Sequence, residues 1–419
     1  MPLTTRRRLH GLAAAWLATR ALMLWLLLHD AAPQLGGIPV AREVWRLYRN
    51  WAGVLAQGTF PADDKLWQYP PGAGPVLLSP TLLPGLDYLQ AFVLLTLAAD
   101  ALVLAALARA GTREGRTLLG AALWTLGLPL LLHVPLVRYD VLATALAVLS
   151  LLTLARSPRA GGAFAALGAL VKVWPVLVLA GTPRGGATRR AWGAAAVTGA
   201  AALGVLALTF AHPLAFLRQQ GGRGVQIESF GGTLLSLATH AGWPGRAGYR
   251  YGALEFSGPY VDAVATASLA LTAVAFGILL HWRLTARHGT EATPYDAALT
   301  AVLLFTVTSR VLSPQYLVWL LGLAAVCLTS RRTSQRPVAA LITAAAAVTA
   351  LVYPILYDEV AASTPVGCAL MAARNGLLGT AAVLSLVRLR RVTSGSPGEL
   401  RPVSLEAGHT RRAATGAAD

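Results

Sequence analysis

Apolar stretches of about 18–22 residues recur along the chain, separated by short segments that carry arginine, proline and aromatic residues. Runs of that length cross the apolar core of a bilayer as helices. The first covers about 11–29 and the next about 88–107, with a long polar stretch of about 30–87 between them. Within that stretch, 74–83 reads as a short interfacial segment bounded by Pro75 and Pro84. Further helices are expected at about 117–136, 141–155, 191–210, 260–282, 294–308, 316–328, 337–356 and 367–387. The apolar run 161–182 is broken at Lys172-Val173-Trp174-Pro175 and has arginines on both flanks. Two short helices folded as a hairpin with that string at its apex satisfy the charge pattern, because one straight span would put a basic cluster on the wrong side. The pattern predicts an all-α, polytopic membrane protein of about 12 helical segments, with a re-entrant hairpin and two large loops, about 30–87 and 211–259. A membrane β-barrel would show alternating ten-residue segments instead.

Composition agrees with that class. Of 419 residues 55% are hydrophobic and 13% charged, against about 25% charged in soluble domains. The net charge of +17 does not point to nucleic acid, since much of the arginine lies in short loops between apolar runs, as topology signals do. Arg6–Arg8 and the later basic loops place both termini in the cytoplasm and the two large loops outside. The N-terminal run contains Arg20 and lacks a small-residue cleavage site, so it reads as an uncleaved first helix. Residues 1–391 are expected to form the membrane domain and 392–419 a polar, disordered cytoplasmic tail. Cys327 and Cys368 have neither metal spacing nor the context of a disulfide.

Charges that survive in such a chain identify candidate chemistry. Arg20 and Asp100 fall at similar depths on antiparallel helices and are expected to pair. The first large loop holds Glu43, Asp63 and Asp64, with Asp30 a weaker candidate. Glu43 reads as a helix-start carboxylate or as a general base, and Asp63-Asp64 as a turn or as the same base. Arg138 and Asp140 share a short outer loop, where they either pair with each other or serve a ligand. The string Arg223-Gly224-Val225-Gln226-Ile227-Glu228-Ser229 is a polar cluster behind two glycines, and Lys172, Arg310 and Arg374 are basic groups at the outer half. Cations converging on one leaflet form an anionic site suited to a lipid phosphate.

These strings occur in a telling order: Arg42-Glu43-Val44, Trp67-Gln68-Tyr69-Pro70-Pro71, Arg138-Tyr139-Asp140, Lys172-Val173-Trp174-Pro175, 223–229 and Ser313-Pro314-Gln315-Tyr316. Together they resemble glycosyltransferase family 87 of the GT-C superfamily, in its actinobacterial branch, over roughly 10–390. The resemblance implies a polyprenyl-phosphate-mannose-dependent mannosyltransferase of the cell membrane. It implies transfer of sugar on the outer face to a glycolipid or glycan, with inversion, a first-loop carboxylate as base and no cofactor or metal. The catalytic set it implies is Glu43, Asp63 and Asp64. The substrate-binding set is Arg138, Asp140, Lys172, Arg223, Gln226, Glu228, Arg310, Gln315, Tyr316 and Arg374. In one respect the chain departs from the family pattern. Aligning Tyr48, Ala52, Leu55 and Gly58 with the usual residues puts Val44 where an aspartate is expected, with Glu43 one position away. A polyprenyl-phosphate-pentose transferase, a lipid-linked-sugar flippase and a structural membrane protein remain the competing readings.

Overall fold

The structure is a computed structural model and describes residues 3–29, 38–220 and 222–394. Asp30 and the tail beyond Ser394 lie outside the described residues, and residues 392–394 continue the last helix. Among the described residues, six helices are long and apolar enough to cross a membrane. They are α1 (Leu3–Leu28), α4 (Tyr88–Gly111), α8 (Gly186–Thr209), α11 (Val261–Thr285), α14 (Arg336–Ala350, continued by a π turn at Leu351–Ile355) and α16 (Pro365–Ser394). Shorter apolar helices fill the space between them: α5 (Leu119–Gly127), α6 (Asp140–Leu154), α7 (Pro158–Val171), α12 (Thr293–Thr308) and α13 (Tyr316–Leu328). The protein is a polytopic helical membrane protein.

The core is built around α13, in which Leu317–Cys327 is buried throughout. This helix packs against α5, α6, α12 and α14. Small residues let backbones meet. A Cβ on Gly120 would come within 2.1 Å of the Ala325 carbonyl oxygen, and one on Gly162 within 1.9 Å of that of Ala191. Among the outer helices, α8 and α11 keep leucine and valine exposed, as lipid-facing surfaces do.

Three expectations change in detail. The single helix at 117–136 is α5 followed by two 3-10 turns, Leu128–Leu131 and Val134–Val137. Pro129 and Pro135 remove the amide hydrogens an α-helix needs there. In the hairpin, α7 forms one arm and the chain turns at Lys172, but the second arm, Trp174–Gly181, is a 3-10 helix opened by Pro175. The arms pack on each other, and a Cβ on Gly168 would lie 2.8 Å from Pro175. The described residues of the second large loop form regular elements. These include α9 (Phe216–Gln220), α10 (Phe230–Thr239) and a small antiparallel sheet in the order β1 (Val225–Gln226), β3 (Ala253–Ser257), β2 (Arg246–Arg250). In the first loop a π turn at Val44–Tyr48 leads into α2 (Arg49–Leu55), and α3 (Ala73–Leu78) continues as a 3-10 turn to Leu82. α15 (Tyr357–Ala361) closes the set between α14 and α16.

Candidate active site

The two large loops and the hairpin apex enclose a cavity of about 1060 Å³. Each wall comes from a different part of the chain. Arg42, Glu43 and Trp51 come from the first loop, Arg138 and Tyr139 from the turn before α6, Lys172 and Trp174 from the hairpin apex. Arg223, Gln226 and Glu228 come from the start of the second loop, and Arg310, Gln315 and Tyr316 from the turn before α13. The main chain ties these walls together: the Gln226 amide donates to the Arg310 carbonyl at 3.0 Å, and the Gly72 amide to that of Leu170 at 2.8 Å.

Glu43 stands at the start of the π turn in helical conformation, with no side-chain cap hydrogen bond. Its helix-start reading is therefore set aside: the carboxylate turns to the cavity and meets Arg138 at 2.5 Å, with side-chain exposures of 25% and 6%. Val44, the next residue, opens the π turn and is sealed in the core at 0% exposure, so of the two positions only Glu43 reaches the cavity. Burial is the largest single influence and opposes the Arg138 charge, but Glu43, Tyr353, Tyr48 and Tyr69 together outweigh it, and the guanidinium is held well above its usual range. Tyr353 also accepts a 3.4 Å hydrogen bond from Arg138.

Lys172 is fixed rather than free. Its ammonium meets Asp140 Oδ1 at 2.6 Å and lies 4.9, 5.0 and 5.5 Å from the rings of Tyr139, Trp319 and Tyr316. Trp319 Nε1 donates to the same Asp140 oxygen at 2.6 Å. Arg138 and Asp140 thus do not pair with each other; each is taken by a partner distant in sequence. Glu228 lines the cavity from beneath, with Arg374 Nη1 at 3.1 Å and a further bond from Arg374 Nη2 to its carbonyl. Burial dominates over that arginine and pushes the Glu228 carboxyl up to about 7.

Four of the expected residues do not line the cavity: Asp63, Asp64, Asp140 and Arg374. Asp64 organises a turn, accepting from Trp51 Nε1 at 2.7 Å and from the Leu66 amide at 2.8 Å, and Asp63 is exposed beside it. Asp140 and Arg374 act one layer back, as the ion partners of Lys172 and Glu228. Conversely, Tyr249, Tyr353, Tyr357, Trp319 and Asp358 line the cavity without having been singled out in the sequence. The Tyr357-Asp358-Glu359 string, polar residues between two apolar runs, was the available signal.

Three buried donors on the cavity wall, Arg138 Nε, Tyr139 OH and Trp174 Nε1, have no protein hydrogen-bond partner among the described residues. Buried donors without partners are costly, and all three belong to residues that line the cavity. The arrangement supplies three carboxylates on the cavity wall, Glu43, Glu228 and Asp358, of which Glu228 is taken by Arg374, together with aromatic faces on which a sugar ring can stack and several cations for an anion.

Comparison with known proteins gives one match. The family described as Glycosyltransferase family 87 matches over residues 67–314, more than half of the chain. No curated protein and no solved structure matches.

Proposed function

Because the chain belongs to glycosyltransferase family 87, and is thus a membrane glycosyltransferase, we propose that the cavity transfers a sugar from a polyprenyl-phosphate carrier to a hydroxyl of a glycolipid or glycan acceptor. The single observation that carries the reading is the meeting of Glu43 with Arg138, Lys172, Arg223 and Arg310 in one cavity, although these residues are far apart in the chain.

In the proposed reaction Glu43 takes the proton of the acceptor hydroxyl as its oxygen bonds to the anomeric carbon. The bond from that carbon to the carrier's phosphate oxygen breaks, and the electron pair leaves with the lipid phosphate. Cations on the wall stabilise the charge that grows on the phosphate. Displacement in one step inverts the anomeric centre. Arg138 orients the Glu43 carboxylate until the acceptor arrives, and the open donors of Tyr139 and Trp174 suit sugar hydroxyls. Mannose is the sugar we propose first. The chemistry asks for no metal or cofactor, because the leaving group is already a phosphate ester held by cationic side chains. We place the reaction on the outer face of the cell membrane, with both termini inside, on the strength of the basic inner loops.

Glu43→Gln tests the reading. Transfer from radiolabelled polyprenyl-phosphate-mannose in membranes is expected to fall by at least about a hundredfold, with the amount of inserted protein and its melting temperature unchanged. Full activity in that variant overturns the base assignment. A wild-type protein that transfers no lipid-linked sugar overturns the reaction.

A further inference from the structure

A second cavity of about 490 Å³ lies beside the first and shares Arg223, Arg310 and Leu269 with it. Its lining is mostly polar. Arg223, Arg250 and Arg310 face Glu255 and Asp262, so cations exceed carboxylates. Glu255, 1% exposed, meets Arg223 at 3.5 Å, a separation that leaves Arg223 Nε and Glu255 Oε1 without a hydrogen bond. The other Glu255 oxygen accepts from the Gly224 amide at 3.0 Å. Burial, and then the neighbouring Arg223, push the Arg310 guanidinium down, with Glu255 acting against them. Two guanidiniums that repel one another at a shared wall are eased by an anion between them.

The two cavities are joined along one helix. Asp262, Thr266, Leu269, Thr272 and Phe276 follow at spacings of four and three on α11, which places them on a single strip. Asp262 and Thr266 line only the second cavity, Leu269 lines both, and Thr272 lines only the first. Phe276 continues the strip and stacks on Phe305 of α12, a lining residue of the first cavity, at 6.5 Å and 4°. The strip therefore runs from polar at the loop end to apolar deeper in the span, and Leu269 is 54% exposed on the lipid-facing helix.

Accepting the glycosyltransferase reading, we infer that the second cavity is the port through which the carrier lipid's phosphate reaches the wall made by Arg223 and Arg310, with its single apolar chain lying along the Leu269–Phe276 strip of α11. Arg250, which lines the second cavity alone, is then a donor-binding residue that the sequence did not reveal. The ligand class is a lipid monophosphate ester: the arginines recognise the phosphate, and the strip holds the chain.

The test measures equilibrium binding of radiolabelled polyprenyl monophosphate, which carries no sugar, to the full chain in nanodiscs. Arg250→Gln is expected to weaken binding about tenfold, the scale of one charge-assisted contact, and to raise the donor KM by a similar factor. Thr266→Trp, at an exposed position, fills the port and is expected to weaken binding without loss of folding. Inorganic phosphate at millimolar concentration is expected not to compete. Wild-type binding by both variants overturns the port even where sugar transfer is intact. Competition by inorganic phosphate as strong as by the lipid overturns the lipid as its ligand. A protein that binds the lipid through this port yet transfers nothing loses the transferase reading and keeps the site.

Discussion

Two buried arginine–carboxylate pairs in this protein have different fates. Between α1 and α4, Arg20 holds Asp100 through two 2.8 Å bonds, and its third nitrogen donates to the Thr125 carbonyl at 2.7 Å. Asp100 also accepts from Trp16 and Trp124, each at 2.7 Å. Side-chain exposures are 3% and 1%. At the cavity, Arg138 meets Glu43 through one short contact while its Nε has no partner, and Glu43 is 25% exposed. A pair whose every donor and acceptor is satisfied inside the protein has nothing left for a ligand. A pair with open valences on a cavity wall does. The number of acidic and basic groups is equal in the two places; saturation separates structure from chemistry.

Breaking the sealed pair should cost most. Arg20→Met leaves Asp100 buried without its counter-ion and is expected to lose about 3–5 kcal/mol, read as little folded protein by size exclusion in detergent. Arg20→Met combined with Asp100→Leu should recover most of it. A single variant that folds and melts like wild type would remove the structural half of the contrast.

The cavity pair should fail differently. Arg138→Gln is expected to reduce transfer by about ten- to a hundredfold, with a smaller drop in melting temperature than Arg20→Met. Arg138→Lys should restore part of the activity, because it returns the charge without the planar fork. Equal loss of folding in the Arg20 and Arg138 variants would merge the two classes.

Asp64 sharpens the contrast from the other side, as a loop carboxylate used for structure. Asp64→Ala removes the bonds to Trp51 and Leu66, and should lower stability by about 1–2 kcal/mol while transfer by the folded fraction stays within about twofold. A collapse of activity at full stability would return Asp64 to the chemistry.

A pH dependence is expected at Glu228. Its carboxyl rises from 4.5 to about 7 on folding, chiefly through burial. The folded state then binds more protons than the unfolded state between those values, so stability is highest below the lower one and declines as pH rises through the window. Glu228→Gln should flatten that decline in melting temperature. An unchanged slope would show that Arg374 keeps Glu228 ionised throughout.

Much of the fold was legible because it is local. A run of apolar residues long enough for the bilayer becomes a span wherever it sits. The Arg20–Asp100 pair could be read from depth alone, since antiparallel helices bring equal depths together. The second loop was harder. Its strands are two to five residues long, and their apolar partners come from α10, α11 and α14–α16 rather than from the same stretch. The candidate site was legible in part. Glu43, Lys172, Arg223 and Arg310 stood out as charges near apolar helices, and they do share a cavity. Asp140 and Arg374 stood out for the same reason and lie behind it.

The sequence alone determined the membrane class, the long apolar helices and the break at Lys172, because length, hydropathy and proline act within one segment. Tertiary packing decided which charges meet. Arg138 and Asp140 are two positions apart, yet one turns to Glu43 and the other to Lys172. Glu43 lies 95 positions before Arg138 and Lys172 lies 32 positions after Asp140, so no single stretch of chain holds either pair, and only the packing of distant elements brings the partners together.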